Sequence, residues 1–270
     1  MIGELLMWGC LAGLMGGILG IGGGLIFVLI LPNLLIGIGV KPIDLVAFTV
    51  SNSLFATLFT TLSVNIKLWS NKYIFFREVC LISASGILAS LLVLKFMVNN
   101  HYYQKEVFDA VFVLMMLYTM VRLLISWSKT RNKVEKTEIV HFKKLPLILT
   151  GLAAGVVSPL SGMGGGVVIV PTLHSFFGFP IKQANSISMG VICITAFFST
   201  CYNFFGKPVS ITSLPHVGFI ILPIALSLSF GGMIGSYMGY KISSRLKPGI
   251  LTLLFAGFLF VMIIKRVFFQ

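Results

Sequence analysis

Eight apolar stretches, near residues 3–38, 42–66, 75–98, 105–127, 145–177, 184–205, 214–240 and 246–268, take up almost the whole 270-residue chain. Each is long enough for an α-helix to cross about 30 Å of hydrocarbon, which takes roughly 20 residues. Only short loops remain between them, too short for a separate soluble domain. Charged residues make up 10% of the chain and hydrophobic ones 57%, with a mean hydropathy of +1.02. Soluble domains carry about 25% charged residues. The ten-residue alternating segments of a membrane β-barrel are not visible. The pattern predicts an all-α polytopic membrane protein.

Two of the stretches, 3–38 and 145–177, are too long for one straight span, and each is interrupted by glycine: "GIGGGLIFVLILP" at 20–32 and "GMGGGVVIVP" at 162–171. A shift of 142 aligns the two triplets and also pairs Gly13 with Gly155 and Gly20 with Gly162. A shift of 137 aligns 47–51 with 184–188, and one of 146 aligns "GILAS" at 86–90 with "GMIGS" at 232–236. The expected organisation is two sequence-related four-segment halves, 1–127 and 145–270, joined by a basic linker at 128–144. Each half opens with a glycine-broken helix that either spans or re-enters. Internal repeats of this kind are common in secondary transporters.

Three consecutive glycines disfavour a helix by up to about 1 kcal/mol each, and unpaired backbone cannot face lipid. A break at Gly22-Gly23-Gly24 or Gly164-Gly165-Gly166 must therefore be buried in protein or line a wet cavity. A helix restarting there would offer free N–H groups and its positive dipole end, a combination that binds anions without a basic side chain. Glycine also permits close helix packing, and Gly231, Gly235 and Gly239 read as a packing ladder of that kind. A nucleotide P-loop is excluded, because no Gly-Lys-Ser/Thr follows either triplet.

The second stretch, "FTVSNSLFATLFTTLSVN", is rich in hydroxyls. Helical periodicity puts Thr49, Asn52, Ser53, Ala56, Thr60 and Ser63 on one face; the counterpart face of the sixth stretch carries Ser186, Gly190, Cys193 and Thr200. The candidate substrate-binding residues are the two glycine triplets with Thr49, Ser51, Asn52, Ser161, Ser186 and Ser188. Asp44, Glu78, Glu106 and Asp109 lie near segment ends, and no buried carboxylate chain suggests a proton relay. His174 reads as a hydrogen-bonded structural residue. No cofactor or metal site is expected: Cys10, Cys80, Cys193 and Cys201 lack metal or disulfide spacing.

The formal charge of +13 does not imply nucleic acid, because the basic residues sit in short loops. They orient the protein instead. If all eight stretches span, 13 of the 20 Lys and Arg fall on one side; if the two broken stretches re-enter, 14 do. Both arrangements place 128–144 in the cytoplasm, and the count does not separate them. The N-terminus lacks the basic start of a signal peptide and carries Glu4, so residues 3–20 are expected to be retained. The expected partners are the lipid bilayer and a small anionic substrate; nothing in the sequence indicates a homo-oligomer.

Two copies of a GxGGGxxxxP pattern, four apolar segments per half and a basic central loop resemble the TauE/SafE sulfite exporter family over essentially the whole chain. The second copy, followed by "ANSIS" at 184–188, fits throughout; the first has Leu29 where the proline stands, with Pro32 three residues on. The resemblance implies a transporter of sulfite, sulfonates or related organic anions in a bacterial inner membrane. An inside-negative potential expels anions with roughly 2.3 kcal/mol per charge per 100 mV, so export is the expected direction. The alternatives are an anion-conducting channel and an intramembrane serine protease built on Ser161 and His216.

Overall fold

A computed structural model describes residues 2–70, 75–99, 105–130, 144–210 and 214–268 of the chain. Most of the linker expected at 128–144 lies outside the described residues. Among the described residues ten α-helices follow one another: α1 (Ile2–Leu19), α2 (Gly24–Gly37), α3 (Pro42–Ser70), α4 (Phe76–Asn99), α5 (Lys105–Thr130), α6 (Lys144–Ser161), α7 (Gly166–Pro171), α8 (Ile181–Phe204), α9 (Leu222–Arg245) and α10 (Pro248–Phe268). Eight of them, all but α2 and α7, are long and apolar enough to cross a membrane. The protein is an all-α polytopic membrane protein.

Both glycine stretches are breaks. Gly20, Gly22 and Gly23 have φ of +76°, +74° and +80°, and Gly162, Gly164 and Gly165 have +67°, +74° and +78°. These are left-handed conformations that an L side chain adopts only at a cost. The backbone reverses there. A Cβ on Gly23 would lie 2.9 Å from the carbonyl oxygen of Ala12, and one on Gly165 the same distance from that of Ala154. Each break is thus the elbow of a helical hairpin, α1–α2 or α6–α7. The second hairpin is shorter: Pro171, which cannot donate to the helical ladder, ends α7, and a π-turn follows at Thr172–Phe176. α2, with Leu29 at the matching position, runs on through Pro32 to Gly37.

The hairpins enter the bundle from opposite ends. Leu5 at the start of α1 and Leu35 near the end of α2 share a core with Val40, Leu45, Phe48, Phe219 and Ile224. Leu147 near the start of α6 shares another with Leu173, Phe179, Val79 and Ala184. α3 and α8 run antiparallel beside them: Asn65, late in α3, donates to the carbonyl of Met189, early in α8. The chain therefore re-enters twice and traverses the bundle six times. The second half runs in the opposite sense to the first.

Small residues let the hairpins dock. On α1, Gly9, Gly13 and Gly17 lie on the backbone of Leu228, Gly232 and Ser236 of α9. In return Gly231, Gly235 and Gly239 lie on Leu6, Cys10 and Leu14. On α6, Gly151 and Gly155 lie on Ile82 and Gly86 of α4. Each hairpin thus packs on the third long helix of the other half, backbone against backbone. Such contact replaces the hydrophobic drive that lipid does not supply.

One expected boundary moves. The stretch 214–240 begins not as helix but as a two-stranded hairpin, β1 (His216–Val217) and β2 (Ile220–Ile221), turning at Gly218 with φ +56°. The Asn52 side chain holds it. Its amide nitrogen donates to the Phe219 carbonyl at 3.0 Å, and its oxygen accepts from the Ile221 N–H at 2.9 Å. Asp44, in the first turn of α3, is buried there; its carboxylate accepts from the amides of Val209 and Ser210 at 2.9 and 2.6 Å.

Two outcomes follow. In a cysteine-free background, Gly3→Cys and Gln183→Cys label from opposite sides of the membrane, Gln183→Cys from the side bearing 128–144. An eight-span chain would exchange those two sides. Gly235→Ala destabilises by about 1–3 kcal/mol or more through overpacking, whereas Gly257→Ala, with nothing within 4 Å of its Cβ position, does not; thermal unfolding in detergent reads the difference.

Candidate functional site

The two elbows meet at the centre of the bundle, framed by α3 and α8. The third glycine of each triplet is helical and serves this contact. A Cβ on Gly24 would lie 3.0 Å from the Met163 Cα, and one on Gly166 would lie 2.9 Å from the Ile21 Cα. The glycines thus divide their work: the first two of each triplet turn the chain, and the third lets the other elbow in.

Hydroxyls from α3 bracket the junction. Ser53 Oγ donates to the Gly162 carbonyl at 2.7 Å and lies 3.3 Å from that of Gly24. Thr60 Oγ1 donates to the Gly22 carbonyl. Two further hydroxyls stand where the short helices restart. Thr57 Oγ1 is 3.0 Å from the Gly24 Cβ position, and Ser188 Oγ is 3.1 Å from that of Gly166. Both are fully buried, and neither has a hydrogen-bond partner among the described residues. The short helices α2 and α7 start just after Gly23 and Gly165, with no side-chain cap. Among the described residues the amides of Gly22 to Leu25 find no protein acceptor either. Free amides and unpartnered hydroxyls in a place without formal charge are the donor set for a small anion that has shed water. Unmade buried hydrogen bonds are costly.

A cavity of about 420 Å³ reaches the first elbow from the end where α3 finishes and α8 begins. Gly17 and Gly20 lie at its inner side, with Asn185, Ser186 and Tyr240 on its walls; Lys182 is the one charged side chain among its lining residues. Lys182 Nζ donates to the Ser244 carbonyl at 2.8 Å. Asn185 Nδ2 donates to the Ile18 carbonyl at 3.3 Å, fixing α8 to the end of α1. At the opposite end of the bundle, the hairpin held by Asn52 covers the start of α3. Phe219 packs edge-on against Phe48 there.

Of the residues expected from sequence, the structure brings together Gly22, Gly23, Gly24, Gly164, Gly165, Gly166 and Ser188, and it sets Ser186 in the cavity wall. Thr49 and Asn52 lie elsewhere on α3, whereas Ser161 ends α6 at the second elbow, where its Oγ accepts from the Met163 N–H at 3.4 Å. Thr49 Oγ1 donates to the Leu45 carbonyl, and Asn52 is engaged with the β-hairpin. Ser51 is buried on α3 with its hydroxyl unpartnered among the described residues. Ser161 Oγ donates to the Val157 carbonyl at 2.7 Å, and His216 Nδ1 pairs with the carbonyl of Gly218, so the two do not form a nucleophile–base pair. His174 Nδ1 pairs with the Phe179 carbonyl at 2.9 Å, as a structural residue would. The elbows meet Val50, Ser53, Thr57, Thr60 and Thr61 of α3, which shares Ser53 and Thr60 with the expected face and adds Thr57, a residue the periodicity does not single out. The elbow contacts pair Val50, Ser53 and Thr57 with Asn185, Ser188 and Ile192, two residues away from the register that aligns 47–51 with 184–188.

The chain resembles known membrane proteins along nearly its whole length. A curated relative in Methanocaldococcus jannaschii, named "Probable membrane transporter protein", is 26% identical over 264 residues, covering 96% of this chain and 92% of the relative. Another of that name in Haemophilus influenzae is 28% identical over 267 residues, covering 96% of each chain. The family model described as Sulfite exporter TauE/SafE matches residues 5–266. The chain, a membrane transporter, belongs to the TauE/SafE sulfite exporter family.

Proposed function

We propose that the protein is a secondary transporter that moves small sulfur-containing or organic anions, of the sulfite and sulfonate class, out of a bacterial cell across the inner membrane. One observation carries this reading. Two hairpins entering from opposite ends bring uncapped helix starts together beside the unpartnered hydroxyls of Thr57 and Ser188. The anion binds between those amides and hydroxyls when the elbows part. Lys182 at the cavity mouth is its first counter-charge.

Orientation follows from charge. With both hairpins re-entrant, 14 of the 20 basic residues gather at the end bearing 128–144 and Lys182, which makes that end cytoplasmic. The cavity opens there, so this conformation accepts substrate from inside. The covered opposite end then has to open for release. An inside-negative potential drives a monoanion outward with roughly 2.3 kcal/mol per 100 mV, and export needs no coupling ion.

Proteoliposomes loaded in turn with sulfite, thiosulfate, sulfoacetate, sulfate and lactate test the proposal. Potential-driven efflux of a sulfur oxyanion or sulfonate is expected. Flux that runs inward only with a proton or sodium gradient contradicts the export direction, and flux of none of the five removes the substrate class. Thr57→Val then separates transport from structure. It deletes a hydroxyl that bonds nothing, so stability stays within about 1 kcal/mol of the parent or rises, while anion flux falls at least tenfold. A variant with unchanged flux would take Thr57 out of the site.

A further inference from the structure

We propose that the protein holds one anionic phospholipid on its lateral surface, an acyl chain lying in the groove between α5, α6 and α7 and the phosphate on Arg122. The groove measures about 710 Å³ and is lined by Leu114 and Tyr118 of α5, Leu149 and Ala153 of α6, and Val168 and Phe176 of the second hairpin. Leu114, Tyr118, Leu149 and Phe176 are exposed, so the groove opens toward the hydrocarbon around the bundle.

Arg122 stands one turn beyond Tyr118 on α5, inside the apolar window of that helix. Its guanidinium carbon lies 3.5 Å over the centroid of the Phe176 ring. The stack serves the face of the guanidinium but not its N–H edge, which carries five donors in the plane. Nε is buried without an acceptor, and no carboxylate pairs with the side chain among the described residues. A cation at membrane depth with no carboxylate partner among the described residues calls for an anionic one, and a phosphate diester accepts from a guanidinium in bidentate fashion. The Arg122 end of the groove is the end of the bundle that bears the basic 128–144 stretch, where anionic lipid and basic residues meet. An acyl chain there would rest directly on the short arm of the second hairpin, tying lipid occupancy to the elbow.

Native mass spectrometry of the detergent-purified protein, titrated with phosphatidylglycerol and phosphatidylcholine of identical chains, reads this out. The wild type is expected to bind one phosphatidylglycerol at least fivefold more tightly than phosphatidylcholine. Arg122→Gln is expected to bind both equally, and Ala153→Phe, which fills the groove, to bind both weakly, with unfolding temperatures unchanged. Equal binding of the two lipids by the wild type overturns the proposal. So does a preference that survives in Arg122→Gln. Glycerol phosphate competing as well as the intact lipid would mark a small-anion site instead, and a lipid-free dimer that Ala153→Phe dissociates would mark an interface between copies; either result also overturns it.

Discussion

The backbone polar groups of a broken helix cannot face lipid, and that constraint organises this molecule. Each half of the chain stops a helix with glycines in left-handed conformations and restarts it a few residues on, leaving amides that neither ladder can use. Neither hairpin can shield its own elbow. Each is buried against the elbow of the other, Gly24 on Met163 and Gly166 on Ile21, with Ser53 and Thr60 accommodating three of the freed carbonyls. The rest of the packing serves that meeting. α1 must lie along α9, and α6 along α4, close enough for backbone contact, so the facing positions are small.

The same constraint sorts the polar side chains. Most buried hydroxyls return to a carbonyl one turn back on their own helix, as Thr49, Thr150, Ser161 and Thr195 do, and these are ordinary satisfied groups. Asn52 and Asp44 use their acceptors and donors to hold the segment that covers one end. Thr57 and Ser188 do neither, although each sits where a helix restarts. A buried hydroxyl without a partner is worth explaining, and two of them, on α3 and α8 beside the two helix restarts, fit a ligand that alternately occupies the junction. The electrostatics agree: the centre carries no formal charge, whereas the cavity leading to it carries Lys182.

Much of this was legible in the chain. The apolar runs located the long helices, and the glycine triplets located the breaks, because both signals follow from what lipid and a missing Cβ allow. The match of Gly86 with Gly232 also has a structural counterpart: each receives a hairpin glycine from the other half, Gly155 and Gly13. Three features were not legible. Whether the broken stretches span or re-enter depends on where the chain goes after the elbow, and loop charge was nearly equal for both. The β-hairpin at 216–221 exists because Asn52, more than 160 residues away, binds its backbone. The expected face of α3 holds Ser53 and Thr60, which do meet the elbows, but it extends toward Asn52 and Ser63 and leaves out Thr57, because polarity alone marks hydroxyls without saying which neighbour they meet. Ser63 in fact meets Ser236 of α9 at 2.7 Å, whereas Thr57, flanked by apolar Ala56 and Leu58, faces the elbows.

The central claim is that the two glycine elbows together bind the anion through their backbone. The most direct measurement is the amide chemical shift of ¹⁵N-glycine in the protein in nanodiscs, followed as a transported anion is added. The account predicts saturable shifts confined to Gly22–Gly24 and Gly164–Gly166, moving together with one binding constant. Shifts confined to other glycines while transport proceeds would contradict it.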